Sequence, residues 1–105
     1  MTMPCSIAGD MSIGHAGFSP APITPVGGAA ARVLVMGSIP HVKDDVIGPH
    51  VLGQAVHTGT VAKVSTTVLV GTDKGDKGGG LARLMDKGDC QSLILGSAAT
   101  VMVGG

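Results

Sequence analysis

The chain contains no tryptophan, tyrosine, asparagine or glutamate, and Phe18 is its only aromatic residue. Aromatic side chains usually supply much of the apolar area that a small core buries, so this interior has to be built from aliphatic and small residues. The lack of glutamate, a good helix former, together with 18 glycines, disfavours helices, whereas valine and threonine favour strands. The composition therefore predicts an all-β protein with many tight turns.

Charged residues are also scarce, at 13% of the chain, and the positive and negative charges balance to a net charge of zero. No basic stretch is interleaved with aromatic residues, so nothing in the sequence supports nucleic-acid binding. No apolar run approaches the roughly 20 residues of a membrane-spanning helix, and the first residues lack the features of a secretory signal. Two cysteines in this setting predict reduced thiols rather than a disulfide framework.

At 105 residues the chain is expected to form a single small domain, covering residues 1–105. A domain of this size buries a limited core and often depends on a metal, on disulfides or on a partner. Apolar residues make up 44% of the chain, and we expect part of that surface to face a protein partner. The six methionines follow no helical spacing and are predicted to fill gaps in the core.

A short apolar motif occurs three times and divides the chain into three repeats. It reads Val-Leu-Val-Met-Gly at 33–37, Val-Leu-Val-Gly at 68–71 and Val-Met-Val-Gly at 101–104, so successive copies begin 35 and 33 residues apart. Repeated units of this kind bury apolar surface by packing on their neighbours. We therefore predict a pseudo-threefold body with repeats at about 3–37, 38–71 and 72–105.

The patterns within the repeats predict short strands joined by turns. Alternating apolar residues indicate strands at 60–64 and 67–70, and residues 92–97 indicate a further buried strand. Alternation is weak within the Val-Leu-Val segments, so we expect these to be buried on both faces. The polar, glycine-rich stretch at about 73–80 predicts a solvated loop, because the Gly-Lys-Ser/Thr sequence of a phosphate-binding loop does not follow it.

Four potential metal ligands lie at two fixed sequence separations before the repeated strands. His15 and His50 each lie 18 residues before the next copy of the motif, and His57 and Cys90 each lie 11 residues before one. Equivalent positions around an axis can converge on one point, where three imidazoles and one thiolate complete a tetrahedral Zn²⁺ site. A closed set of four protein ligands predicts a structural site, with Fe²⁺ as the less favoured metal.

The other candidate residues have less specific interpretations. His41 falls outside this registry, in a turn after Pro40, and is interpreted as a surface residue. Cys5 is predicted to be a buried thiol. Cys90 and His57 could form a thiol nucleophile pair, which leaves a small thiol- or metal-dependent enzyme as an alternative to a structural metal site.

The repeats resemble the PAAR-repeat family of spike-tip proteins. Members carry Pro-Ala-Ala-Arg followed by Gly-Asp, a His or Cys, Gly-Ser and an apolar strand that ends in Gly. The matching segments are residues 4–10 with His15, residues 40–45 with His50 and His57, and residues 88–90 with 96–97 and the final strand. The tetrapeptide is degenerate in every copy, so the resemblance depends on the repeat plan and the ligand positions, over essentially the whole chain.

The resemblance implies a small cone with one Zn²⁺ near its apex, held by His15, His50, His57 and Cys90. One such chain caps a trimeric β-helical spike in contractile injection machines, including type VI secretion systems and contractile phage tails. It implies a structural protein that is not an enzyme and forms no stable homo-oligomer. Family members often carry toxin or adaptor extensions, but the last repeat ends at residue 104 of 105, so we expect no effector extension here. The expected location is the bacterial cytoplasm during assembly and the particle tip afterwards, with transient contact with the target membrane. A metal-free β adaptor for an unrelated oligomer is the remaining alternative.

Overall fold

The computed structural model describes residues 2–13, 17–25, 33–70 and 79–105, and within these ranges the chain is all-β with no helix. His15 and most of the predicted 73–80 loop lie outside the described residues. No helix long and apolar enough to span a bilayer occurs in the described part of the chain. The strands are β1 (Met3–Cys5), β2 (Met11–Ser12), β3 (Ala21–Thr24), β4 (Val46–Leu52), β5 (Ala55–Thr60), β6 (Leu69–Val70), β7 (Gly79–Gly80) and β8 (Ala98–Val103).

The strands form three small antiparallel sheets. The largest has the order β2-β3-β4-β5, while β1 pairs with β8 and β6 pairs with β7. Strands β4 and β5 form a hairpin whose turn begins at Gly53, and the positive φ of 60° at that residue suits glycine. This hairpin is the longest regular element and carries two of the predicted metal ligands.

A closed ring of main-chain hydrogen bonds joins three segments that lie far apart in the sequence. The Ser6 N–H donates to the Ala82 carbonyl, the His41 N–H to the Ser6 carbonyl and the Ala82 N–H to the His41 carbonyl, each at 2.9 Å. All three residues are fully buried. Single β-bridges between their neighbours close the same ring, namely Ile7 with Pro40, Val42 with Leu81, and Arg83 with Cys5. We call residues 5–7, 40–42 and 81–83 the central ring.

Each segment of the central ring continues into a turn that an aspartate stabilises. In each turn the carboxylate accepts a hydrogen bond of 2.9 Å from the N–H three residues earlier, as in Asp10 with Ile7, Asp45 with Val42, and Asp86 with Arg83. Aspartate favours such turns because its side chain reaches the nearby main chain. The family resemblance places the third Gly-Asp at 88–89, whereas the turn equivalent to the other two ends at Asp86.

The core consists of two clusters of buried aliphatic residues. The first contains Val35, Val70 and Val103, the third residues of the three motif copies, together with residues of the central ring such as Val42 and Leu81. The second contains Ile23, Ile47, Val61 and Ile94, together with Ala21 and Ala82. Valine and isoleucine therefore fill the interior, as the scarcity of aromatic residues requires.

The expected two-sided burial of the Val-Leu-Val segments is wrong. The middle residues Leu34, Leu69 and Met102 are 65%, 63% and 50% exposed, whereas the third residues Val35, Val70 and Val103 are at most 8% exposed. In each motif the third residue therefore packs in the first core cluster while the middle residue faces solvent, because adjacent side chains of an extended segment point to opposite sides.

Other expectations are also wrong. The strand predicted at 60–64 is not formed, because β5 ends at Thr60 and Val61 makes only a single bridge to Gly88. His41 is buried in the central ring and is not a surface residue. Residues 92–97 form no strand, because Leu93 and Ile94 make single bridges to two different segments. Among the described residues no methionine belongs to either core cluster, because smaller aliphatic residues occupy both, and Met11, Met36, Met85 and Met102 are exposed. The predicted burial of Cys5 is confirmed.

Candidate metal centre

The β4–β5 hairpin places two predicted ligands directly opposite each other. His50 and His57 are cross-strand partners, and their ring centroids lie 5.9 Å apart with the ring planes at 83°. Opposed residues of an antiparallel pair project from the same face of the sheet, which is why both imidazoles reach one region. His50 is fully buried, whereas His57 is exposed.

Two hydrogen bonds join the turn that carries Cys90 to the end of β5. The Asp89 N–H donates to the Thr60 carbonyl at 2.9 Å, and the Asp89 carboxylate accepts from the Thr60 N–H at 3.1 Å. A Cβ atom at Gly59 would lie 2.9 Å from Cys90 Sγ and 2.5 Å from Asp89 Oδ1. The glycine therefore allows the cysteine turn to approach the strand that carries His57.

Ser92 connects the thiol to the buried imidazole. The Cys90 thiol donates to Ser92 Oγ at 3.2 Å, and the same hydroxyl oxygen lies 3.3 Å from His50 Nε2. On the other side of the ring, His50 Nδ1 lies 3.3 Å from the Gly48 carbonyl. Because a carbonyl only accepts, this contact favours the neutral tautomer with the proton on Nδ1 and the lone pair on Nε2. Nε2 is therefore the nitrogen through which His50 can bind a metal.

Phe18 contacts both histidines. Its ring stacks on His57 with centroids 4.2 Å apart and planes at 22°, and it meets the His50 ring edge-on at 5.7 Å and 88°. Phe18, Ser92 and Gly59 belong to the site although no sequence pattern singled them out as such. The only available signal is that Phe18 is the single aromatic residue of the chain.

The predicted ligands are therefore partly brought together. His50 faces His57, and Cys90 lies one hydroxyl away from His50, while His15 falls outside the described residues. Among the described residues, no three His, Cys, Asp or Glu side chains are arranged to hold a metal ion. The donor chemistry of imidazole nitrogens with one thiol fits Zn²⁺, and the lone pair favoured on His50 Nε2 agrees with that use.

A second notable surface is apolar and carries the repeated motif. Leu34, Leu69 and Met102, which we call the apolar triad, are the equivalent middle residues of the three motif copies, and each is at least half exposed. Exposed apolar side chains recur at the same position of each motif copy, so the apolar triad is a candidate contact with a protein partner.

No protein-family model matches the chain, and no curated protein matches it.

Proposed function

We propose that the chain is a structural spike tip that caps a trimeric β-helical spike in a contractile injection machine and is stabilised by one Zn²⁺. The central ring is the observation that carries the proposal. Each of its three segments donates one main-chain hydrogen bond to one neighbour and accepts one from the other, all at 2.9 Å. This cyclic pairing supports treating the three segments as equivalent, with a pseudo-threefold axis at its centre.

The motif copies support the same interpretation. Val35, Val70 and Val103 meet in one core cluster, and the apolar triad presents three equivalent apolar side chains to solvent. A single chain with internal threefold repetition can make the same contact with each subunit of a trimer, which an irregular monomer cannot do. In this proposal the apolar triad forms part of the base that seats on the spike.

The two core clusters suggest where base and apex lie. Cys5 and Leu81 of the central ring belong to the first cluster with the motif valines, whereas Ala82 belongs to the second. Side chains alternate across an extended segment, so the two clusters lie on opposite sides of the ring. Ile47 belongs to the second cluster and lies on the strand that carries His50. The metal centre would therefore be at the end opposite the base, as expected of a tip.

His15, His50, His57 and Cys90 would hold the zinc as a closed four-ligand set. A closed structural site contributes its binding energy directly to folding, which suits a domain with a small aliphatic core. We expect about one zinc per chain in protein purified without chelators. Protein purified in this way without bound metal would contradict the zinc component of the proposal.

The number of chains bound per spike trimer tests whether the apolar triad forms the base. The chain is mixed with a trimeric β-helical spike protein of a contractile injection machine and analysed by size-exclusion chromatography with light scattering. We expect one chain per trimer. Leu69→Asp in the apolar triad should weaken the complex by more than about tenfold, the size of effect expected when a charge enters an apolar contact.

Leu52→Asp is the matched control. Leu52 is 49% exposed but lies at the tip of the β4–β5 hairpin, away from the proposed base, so this variant should bind normally. Three outcomes would overturn the assignment of the apolar triad to the base. They are a wild-type chain that does not bind the spike, a complex with three chains per trimer, and equal weakening by the two aspartate variants. Binding to an unrelated oligomer without metal would favour the adaptor alternative.

A further inference from the structure

We propose that Phe18 is a positioning residue that holds the His57 imidazole, and with it the His50 imidazole, in the orientation that metal binding requires. The inference rests on the proposed metal centre and concerns a residue outside the ligand set. Its basis is the stacking of the only aromatic side chain in 105 residues on one histidine and its edge contact with the other.

The stacked geometry restricts the imidazole without occupying its donor atoms. With centroids 4.2 Å apart and planes at 22°, the phenyl ring covers one face of His57 and opposes rotation of the imidazole out of that plane. A metal binds the lone pair in the plane of the ring, at its edge, so a ring packed on the face leaves that direction open. Phe18 can therefore orient His57 without competing with the metal.

His57 differs from His50 in its exposure to solvent. His50 is fully buried, and contacts with the Gly48 carbonyl and the Ser92 hydroxyl hold its two nitrogens. His57 is exposed on an edge strand of the four-stranded sheet. An exposed side chain loses more rotational freedom when it binds a metal, and stacking reduces that entropic cost beforehand.

The main chain beside Phe18 is itself fixed to the hairpin. The Ser19 N–H donates to the Val51 carbonyl at 2.9 Å, and the Val51 N–H donates to Ser19 Oγ at 2.9 Å. Val51 directly follows His50 in β4. The two hydrogen bonds therefore tie the position of the phenyl ring to the strand that carries one of the ligands it contacts.

The test compares zinc affinity in three forms of the full chain, measured by competition with a chromophoric chelator. Phe18→Met keeps an apolar side chain of similar volume and removes the ring, whereas Phe18→Tyr keeps the ring. We expect Phe18→Met to lower zinc affinity by about tenfold or more, the usual effect of removing a group that orients a metal ligand. Phe18→Tyr should stay within about twofold of wild type.

A spectroscopic measurement separates positioning from loss of stability. Co²⁺ bound in place of Zn²⁺ should give the visible bands of a tetrahedral site in wild type and Phe18→Tyr, and altered bands in Phe18→Met. Met85→Ala, outside the four-stranded sheet, is the control for removal of an exposed apolar side chain and should leave both affinity and spectrum unchanged.

The zinc and Co²⁺ measurements distinguish an absent positioning role of Phe18 from an absent metal centre. If wild type binds zinc and Phe18→Met binds it within about twofold with the same Co²⁺ spectrum, the positioning role is overturned and the metal centre stands. If wild type binds neither metal, both are overturned. Should Phe18→Met not fold, proton NMR of wild type decides: the His57 ring protons must show the upfield shift that a stacked phenyl ring causes, and normal shifts overturn the role.

Discussion

The side chains of Ser6 and His41 form a buried hydrogen bond at the centre of the molecule, with Ser6 Oγ 2.8 Å from His41 Nδ1. The same two residues share one of the main-chain hydrogen bonds of the central ring. His41 Nε2 is fully buried. A histidine in this position stays neutral, because a protonated imidazole would lose its hydration here.

Acid should therefore destabilise the fold through His41. Burial lowers the pKa of His41 below its ordinary value of 6.5, with a partial opposing effect from the Asp10 carboxylate and the Ile23 main chain. Below pH 6.5 the unfolded chain binds a proton that the folded chain does not accept. The contribution of His41 to the free energy of unfolding is therefore fully present above that pH. Below it, this contribution falls by up to about 1.4 kcal/mol per pH unit.

Urea unfolding of the metal-free chain between pH 4 and pH 8 measures this dependence. The slope of the unfolding free energy with pH should correspond to the uptake of about one proton by His41. His41→Gln should show a shallower acid limb than wild type, and the other histidines cancel in the comparison because both proteins carry them. Parallel pH profiles for the two proteins would contradict a role for His41.

Gly59→Ala should damage the metal centre with little effect on the rest of the fold. A Cβ atom there would lie 2.5 Å from Asp89 Oδ1 and 2.9 Å from Cys90 Sγ, so the cysteine turn has to move away from β5. We expect zinc affinity to fall by about tenfold. Gly104→Ala is the matched control, since its Cβ would meet only Thr2 at an ordinary 3.6 Å. Equal zinc affinity in both variants would show that the turn tolerates the displacement.

Asp86→Ala should destabilise the fold strongly. Both oxygens of Asp86 accept hydrogen bonds from the Arg83 side chain at 2.9 Å, and one also accepts from the Arg83 N–H. The two side chains are only 9% and 5% exposed, so the substitution leaves a nearly buried guanidinium without its partner.

We expect a loss of about 3–5 kcal/mol in the free energy of unfolding, measured with urea. Asp86→Asn should cost less, because its amide oxygen can still accept from the Arg83 N–H. Lys63→Ala, at an exposed position, should change stability by less than about 0.5 kcal/mol. A loss for Asp86→Ala as small as that of the lysine variant would contradict the importance of this pair.

The two cysteines should differ in reactivity. Burial and, to a smaller extent, the Asp10 carboxylate raise the pKa of the Cys5 thiol to about 11. Only about one Cys5 thiol in a thousand is then ionised at pH 8, and the thiolate is the form that reacts. Cys90 is partly exposed. Iodoacetamide should therefore label Cys90 first in the folded metal-free chain, with labelling followed by mass spectrometry.

Added zinc should protect Cys90 and leave the slow labelling of Cys5 unchanged, while urea should make both cysteines react. Fast labelling of Cys90 in the zinc-loaded protein would instead favour the thiol-enzyme alternative. Cys5 labelling as fast as that of Cys90 in the folded state would contradict its burial.

Several features could be predicted from the sequence because they depend on local pattern. Scarce aromatic residues and abundant glycine and valine predicted the all-β class, and the repeated motif identified Val35, Val70 and Val103, which meet in one core cluster. The count from motif to ligand selected His50 and His57, which face each other across the hairpin. Each of these predictions needs only residue identity and spacing along the chain.

Other features could not be predicted because they depend on which segments meet. Pro40 before His41 indicated an exposed turn, but pairing with segments 35 and 41 residues away buries that histidine. The exposure of Leu69 and its equivalents follows from the single core cluster beneath them, which the Val-Leu-Val pattern does not reveal. Likewise, Phe18 and Ser92 reach the histidines only because their loops fold onto the hairpin.

The sequence by itself determined the strand-rich composition, the aliphatic core and the threefold spacing, because these follow from side-chain size, backbone preference and repetition. The tertiary structure alone decided that Ser6, His41 and Ala82 close a ring, and which face of each motif meets solvent. The physical reason is that main-chain donors and acceptors are nearly the same in every residue, so the sequence does not indicate which ones pair. The partner is set only when three distant segments pack together and exclude water from the centre.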